Sequence, residues 1–229
     1  RWFILHRFGV YPVGCNVRSI APYIHQGGDI RKLAYRNNSA LWCGRSYISS
    51  VSYKGAVHIV FWSAAAENRP AMIKQLLAIG VDVNVQVDRE EETALMLASE
   101  NGNLEIVKIL IDAGANLEIK DDLGKTALMH ASRHGQSNIV KNLISAGANV
   151  HATDYHYHYE ERWGVGKTPL MYICDSGYIT FDDLKTVEIL IDAGANINAK
   201  TKNGGTSLMI ASANSTPQVV QKLIDAGAE

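Results

Sequence analysis

The feature that most constrains this chain is a repeat with a period of 33 residues. A closing motif, Ala-Gly-Ala-Asn or a close variant, ends at Asn116, Asn149, Asn196 and Glu229. Each copy is preceded by a start motif of the form Thr-x-Leu-Met, which begins at Thr93, Thr126, Thr168 and Thr206. The first two start motifs are 33 residues apart. A fixed period of this length is typical of arrays in which similar units stack on one another.

Each unit is predicted to contain two short helices. In the second unit, residues 94–101 form a first helix rich in small residues, and residues 103–113 form a longer one. The longer helix places Ile106, Ile109 and Leu110 on one face. Gly114 follows and is free to adopt the left-handed conformation that ends a helix. Neither helix could bury its apolar face alone, so neighbouring units are expected to stack into a continuous core.

These motifs resemble the ankyrin-repeat family. The resemblance rests on Thr-Pro-Leu-Met at residues 168–171, on Asn-Gly-Asn-Leu-Glu-Ile-Val-Lys-Ile-Leu at residues 101–110 and on the recurring closing motif. It covers residues 57–229 as about five units and implies an all-α solenoid of helix-turn-helix units with β-turn fingers. The chain departs from the family where a histidine usually follows the leucine, because it has Met96, Met129, Met171 and Met209 there. A thioether fills space, so we expect these turns to be held more by packing than a histidine would require.

The units differ in length at three places. The first is one residue short between its helices, and Pro70 is expected to open its second helix. The fourth has five extra residues between its helices, around residues 177–181, and the finger before it is nine residues longer than its neighbour. Insertions in solenoids fall in loops, often on the binding face.

Residues 1–56 do not follow the repeat and remain unassigned. One interpretation is a degenerate capping unit whose second helix begins near residues 28–33, because an array must cover its end. The other is a leader with no repeat structure. Residues 1–58 hold eight basic residues and one acid, which leaves 14 basic and 22 acidic residues for the rest of the chain. The total charge of −1 gives no reason to expect nucleic-acid binding.

Cysteine usage and hydropathy bear on the cellular compartment. Cys15, Cys43 and Cys174 are odd in number and form no CxxC pair, which fits a reducing compartment such as the cytoplasm, or buried thiols, better than a disulfide framework or a zinc site. The longest apolar run, residues 56–66, is shorter than the roughly 20 residues of a membrane-spanning helix, so no membrane span is expected. No cofactor is expected either.

Two Gly-Lys-Thr triplets, at residues 124–126 and 166–168, resemble the end of a phosphate-binding P-loop. That loop requires a glycine five positions earlier, where this chain has Ile119 and Glu161. The repeat explains both triplets as the junction between a finger and a first helix. Nucleotide binding is therefore rejected.

No other motif indicates catalysis. Cys174 with His130 or His134 would form a nucleophile pair, but a small core cysteine is the preferred interpretation, with the histidines in surface or inter-repeat packing. The acidic runs at residues 90–92 and 121–122 are expected on solvent-facing finger tips. The chain is therefore predicted to be non-catalytic. A targeting segment of a larger enzyme stays open as an alternative.

The finger of residues 151–163 is the most unusual stretch, with the sequence His-Ala-Thr-Asp-Tyr-His-Tyr-His-Tyr-Glu-Glu-Arg-Trp. If it is extended, one face carries Tyr155, Tyr157 and Tyr159 and the other carries His156 and His158. One interpretation is a recognition element, because Tyr, Trp and Arg dominate interface energetics. A second is a zinc or similar site, in which His151 or Glu160 joins the two histidines. A third is a solvated loop whose aromatic side chains pack on the neighbouring finger.

The predicted function is protein binding through the concave surface made by the fingers and the first helices. A rigid scaffold loses little ordering entropy on association. The acidic repeats favour another protein with some basic surface as the partner. The residues predicted to contact it come from three fingers and are Tyr155, Tyr157, Tyr159, Arg162, Trp163, Asp121, Asp122, Leu123, Lys202 and Asn203.

Overall fold

The computed structural model describes residues 53–87, 90–155, 163–176, 180–214 and 217–229, with side chains from residue 57 onward except that of residue 87. The two interpretations of residues 1–56 fall almost entirely outside these ranges. The repeats lie in the second of two compact units of the chain, His58–Glu229.

The ten helices of the described ranges form five consecutive pairs, as the repeat predicts. The pairs are α1 (Tyr53–Ala66) with α2 (Pro70–Ala78), α3 (Ala94–Glu100) with α4 (Leu104–Asp112), α5 (Ala127–Arg133) with α6 (Ser137–Ser145), α7 (Pro169–Cys174) with α8 (Phe181–Asp192), and α9 (Ser207–Ala213) with α10 (Pro217–Asp225). An antiparallel hairpin of β1 (Gln86–Val87) and β2 (Glu92–Thr93) precedes α3, with Gln86 opposite Thr93. The architecture is an all-α solenoid in which a finger joins each unit to the next.

The start motif works because its threonine caps a first helix. Thr93 Oγ1 accepts a hydrogen bond from the backbone N–H of Met96 at 3.3 Å. Thr168 and Thr206 cap α7 and α9 in the same way. A cap of this kind stabilises a helix by about 1 kcal/mol. Pro70 is the first residue of α2, as predicted from its missing N–H.

The closing motif works because glycine ends the second helix. Gly114 has a φ of +83°. Its N–H donates to the carbonyl of Ile111 at 2.9 Å, and the N–H of Ala115 donates to the carbonyl of Leu110 at 3.0 Å. These bonds satisfy carbonyl groups that would otherwise lack partners at the end of α4.

The helices stack in two rows. The first helices α3, α5, α7 and α9 pack in order, and so do the second helices α2, α4, α6, α8 and α10. Met96, Met129 and Met171 are buried between first helices, as expected of thioethers that fill space, whereas Met209 on α9 is 52% exposed. Packing is not alone in holding the turns, because neighbouring fingers are also joined by backbone hydrogen bonds. Asp122 donates to Glu90 at 3.0 Å, and Lys202 donates to Val165 at 2.9 Å.

The extra residues of the fourth unit are not all in a loop, which corrects the sequence-based expectation. Helix α8 has 12 residues, whereas α4 and α6 have nine each. Thr180 Oγ1 accepts from the N–H of Asp183 at 3.3 Å, and the Asp183 carboxylate accepts from the N–H of Thr180 at 2.5 Å. This reciprocal capping box starts the helix early, so residues 181–183 are helical.

Candidate functional site

The long finger is closed by the same backbone hydrogen bond as the short finger before it. In the short finger the N–H of Asp121 donates to the carbonyl of Lys125 at 3.0 Å, and in the long finger the N–H of Asp154 donates to the carbonyl of Lys167 at 3.2 Å. The closing residues are 4 positions apart in the first case and 13 in the second. The nine extra residues therefore lie between two fixed points.

The first end of the long finger lies on the short finger before it. The Tyr155 hydroxyl donates to the carbonyl of Asp121 at 3.2 Å, and the Tyr155 N–H donates to the carbonyl of Leu123 at 3.4 Å. The ring lies against Gly124, where an added Cβ would stand 2.7 Å from the ring carbon Cδ1. The Lys120 ammonium lies 5.2 Å from the ring centroid, within the range of a cation–π interaction.

The second end of the long finger lies on the finger after it. The Trp163 ring covers Gly205, where an added Cβ would stand 2.9 Å from the ring carbon Cε3. Gly164 lies against the side-chain amide of Asn203, which an added Cβ would approach to 2.6 Å. The finger is thus held at both ends by its neighbours.

Six of the predicted contact residues therefore lie in two groups, one at each end of the long finger. Tyr155 is 56% exposed, and Asp122, Lys202 and Asn203 are also exposed, while Leu123 and Trp163 are half-buried. The remaining members of the finger lie outside the described residues; they are Tyr157, Tyr159, Arg162, His156, His158 and Glu160. His151, the third histidine of the predicted metal site, is exposed.

The expectation that the acidic runs are solvated is wrong for two residues. Asp121 and Glu92 are each only 2% exposed, whereas their neighbours Asp122 and Glu91 are exposed. The Asp121 Oδ1 atom accepts from the N–H groups of Leu123 at 3.0 Å and Lys125 at 2.7 Å. Closing the finger turn points this side chain inward, so its carboxylate is not a surface contact.

Asp121 belongs to a buried cluster that couples the second and third units. His130 on α5 is 5% exposed, and its Nε2 atom lies 2.9 Å from Asp121 Oδ2. Its Nδ1 atom lies 3.5 Å from an Oε atom of Glu100, the last residue of α3. Glu92 completes the cluster, since one ligand atom from each of Glu92, Asp121 and His130 lies within 4.8 Å of the others.

The charges of this cluster stabilise one another. Burial alone would lower the pKa of His130, but the hydrogen bonds to Asp121 and Glu100 outweigh burial and raise it. Burial alone would raise the pKa of Asp121, but the hydrogen bond and charge of His130, together with the backbone N–H of Lys125, hold it below the usual value. Both shifts favour the charged pair of His130 and Asp121 over the neutral one.

Sequence reasoning missed this cluster because its members come from two units. In the sequence, the apparent partners of His130 are Cys174 and His134, and Asp121 is one of the finger residues. The available signal is that a histidine directly follows Met129 on a helix whose other residues up to Ser132 are small or apolar. A polar residue on that face needs a partner when the units stack.

Cys174 is a core residue, as the preferred interpretation held. It is buried in α7, and burial, with a smaller contribution from Asp175, raises the pKa of its thiol. A thiol that stays protonated is a poor nucleophile.

Comparison with known proteins agrees with this architecture. The family model described as ankyrin repeats (3 copies) matches residues 61–154 and again residues 156–229. The chain belongs to the ankyrin-repeat family. A putative ankyrin repeat protein of Acanthamoeba polyphaga mimivirus is 38% identical over 76 residues, which cover 33% of this chain. The match spans 46% of that relative, so less than half of its length is represented here.

Two general properties accompany membership of this family. Ankyrin repeats generally serve as protein–protein interaction modules and are typically non-catalytic. Within the described residues, no helix has the length and apolar character needed to cross a membrane.

Proposed function

We propose that this ankyrin array binds another protein through its finger surface. By finger surface we mean residues 122–123 of the short finger, residues 155–163 of the long finger, and Lys202 and Asn203 of the finger after it. The observation that carries the proposal is that both ends of the long finger are fixed on its neighbours, by Tyr155 on one side and Trp163 on the other. Residues of three consecutive fingers would together form the surface that contacts the partner.

The physical character of this surface suits protein recognition. An aromatic residue flanks each end of residues 156–162, and aromatic side chains supply large contact areas at a low cost in side-chain entropy. Asp122 and Lys202, which are exposed and opposite in charge, belong to the two fingers that hold the ends of the long finger, where they would orient a partner. Because the ends of the finger are already anchored, less conformational freedom remains to be lost on binding.

We also propose that the array is a non-catalytic adaptor and that it acts in the cytoplasm. Its support is the free, buried thiol of Cys174 and the lack of CxxC pairs in the sequence. The acidic charge of the repeats favours a partner with a basic surface.

The sharpest test removes the tip of the long finger and leaves its anchors in place. Residues 156–162 are the segment to delete, because a wider deletion would remove Asp154. The Asp154 carboxylate accepts from the backbone N–H groups of Gly166 at 2.6 Å and Lys167 at 2.9 Å, and from the Tyr172 hydroxyl at 2.6 Å. Loss of binding by the wider deletion would therefore not distinguish recognition from misfolding.

The experiment is an affinity capture from source-cell extract with quantitative mass spectrometry. The baits are the full chain, the 156–162 deletion, a Tyr155→Ala/Trp163→Ala double variant, and a Lys108→Ala/Lys141→Ala control on the exposed side of α4 and α6. We expect specific proteins to be captured equally by the full chain and the control, and at least about tenfold less by the other two. Equal capture by all four baits would refute the finger surface as the binding site. Circular dichroism establishes that each bait is folded.

A further inference from the structure

The buried cluster between the second and third units has the composition of a metal site. We propose that Glu92, Asp121 and His130 bind a divalent transition-metal ion, and that zinc is the best match. One carboxylate oxygen or ring nitrogen from each residue lies within 4.8 Å of the other two. All three side chains are buried, with exposed fractions of 2%, 2% and 5%. This proposal is independent of the proposed protein-binding function.

The distances within the cluster are close to those of a zinc site. Zinc binds histidine nitrogen and carboxylate oxygen at about 2.0–2.2 Å, which in tetrahedral geometry separates two ligand atoms by roughly 3.3 Å. His130 Nε2 and Asp121 Oδ2 are 2.9 Å apart, so they need to separate only slightly to admit an ion. The Glu92 carboxylate must move by no more than about 1.5 Å, which a side-chain torsion supplies.

A partner for the second ring nitrogen of His130 is already in place. A histidine that binds a metal almost always donates its other N–H to a carboxylate or carbonyl, which fixes the tautomer and the ring orientation. Here His130 Nδ1 lies 3.5 Å from a Glu100 Oε atom. Nε2 faces Asp121 Oδ2 at 2.9 Å, and Glu92 would complete the ligand set.

The charge of the cluster favours a divalent cation. Glu92, Asp121 and Glu100 place three carboxylates around one imidazole, and the Lys125 charge acts on Asp121 as well. An imidazolium offsets one of the three negative charges, whereas a divalent ion bound to neutral His130 offsets two. Because one ligand is an imidazole nitrogen, calcium and magnesium, which prefer oxygen ligands in larger number, are disfavoured.

The ion would join two neighbouring units. Glu92 lies in the hairpin that opens the second unit and Glu100 ends its first helix, whereas Asp121 and His130 belong to the third unit. Metal that binds only the folded array stabilises it by mass action. Zinc would therefore raise the unfolding temperature of the array, with a rise that depends on zinc concentration.

The experiment titrates the chelator-treated full chain with zinc chloride in a calorimeter and follows thermal unfolding in parallel. The expected result is one bound zinc per chain and a rise in unfolding temperature. Glu92→Gln removes a ligand without changing shape, and we expect it to weaken zinc binding by more than about 100-fold. Glu100→Gln should weaken binding by about 10- to 100-fold, the range for residues that orient a metal ligand. His130→Ala is avoided because it would leave buried carboxylates without their cation.

Two control variants test the location of the ion. Asp122→Asn alters the exposed acid beside Asp121 and should leave binding unchanged. A His151→Ala/His156→Ala/His158→Ala variant removes the histidines of the long finger and should also leave it unchanged. Three outcomes would overturn the proposal: no zinc binding by the full chain, unchanged binding by Glu92→Gln, or loss of binding only in the triple histidine variant. The last outcome would assign the metal to the long finger.

Discussion

In the third and fourth units, the aspartate that closes the finger contacts a ring at the same position of the first helix, but the two rings differ in charge. In the third, Asp121 Oδ2 meets the imidazole of His130 at 2.9 Å. In the fourth, Asp154 Oδ2 accepts a hydrogen bond from the Tyr172 hydroxyl at 2.6 Å. Both rings directly follow a buried methionine of the start motif. The same backbone frame thus accommodates a charged pair at one junction and a neutral donor at the next.

The comparison separates two tasks of the aspartate. In each unit one carboxylate oxygen accepts two backbone N–H groups and holds the finger turn, while the other oxygen meets the ring of the first helix. The nine extra residues of the long finger leave both tasks intact. An insertion is tolerated here because the closing residues on either side of it keep the same hydrogen bonds as in the short finger.

Removing the ring at the charged junction should have the largest effect. We expect His130→Ala to destabilise the array by about 3–5 kcal/mol, because it leaves the buried Asp121 and the half-buried Glu100 without their shared cation. The measurement is urea-induced unfolding followed by circular dichroism in the presence of a chelator. His134→Ala is the matched control: that side chain is 40% exposed and should change the free energy of unfolding by less than about 0.5 kcal/mol. Similar losses in both variants would show that the buried pairing is not special.

Disrupting the contact between the short and long fingers should have the second-largest effect on the free energy of unfolding. Gly124 has a φ of +79°, and an added Cβ would stand 2.6 Å from the backbone nitrogen of Tyr155. Gly124→Ala is expected to cost about 2–4 kcal/mol, from left-handed strain and overlap together. Gly204→Ala tests strain alone, because Gly204 has nearly the same φ, +80°, and no atom within 4 Å of its added Cβ. Its expected cost is about 1–2 kcal/mol. Equal costs would mean that Tyr155 does not rest on the short finger.

Loss of the ring's polar group should destabilise the array less at the Asp154–Tyr172 junction, where the ring is neutral, than at the Asp121–His130 junction. Tyr172→Phe removes the hydroxyl but keeps the ring, and leaves Asp154 with its two backbone donors. We expect a loss of about 1.5 kcal/mol in the free energy of unfolding, the lower end for a hydrogen bond to a charged group. Equilibrium urea unfolding measures it beside His130→Ala. A loss as large as that of His130→Ala would contradict the distinction between the two junctions.

These results show which parts of the molecule were accessible from the sequence. The positions of the helices could be predicted, because Thr93 caps α3 and Gly114 ends α4 through interactions within a few residues. The burial of Asp121 and Glu92 could not be predicted, because the direction of a finger side chain depends on the residues that the neighbouring unit places beside it. The alternation of Asp121 inward and Asp122 outward cannot be read from two adjacent identical residues.

The smallest expected effect concerns an ion pair between units at the surface. Lys222 on α10 contacts the carboxylate of Glu188 on α8, and both side chains are substantially exposed. Water and salt screen such a pair, so Lys222→Ala should cost about 0.2–1 kcal/mol. Unfolding measured at low and high salt distinguishes it from the buried pairing, because the effect of Lys222→Ala should shrink at high salt while that of His130→Ala persists. If both effects fell equally with salt, the charge at His130 would be solvated, and the contrast between the two junctions would be one of exposure rather than chemistry.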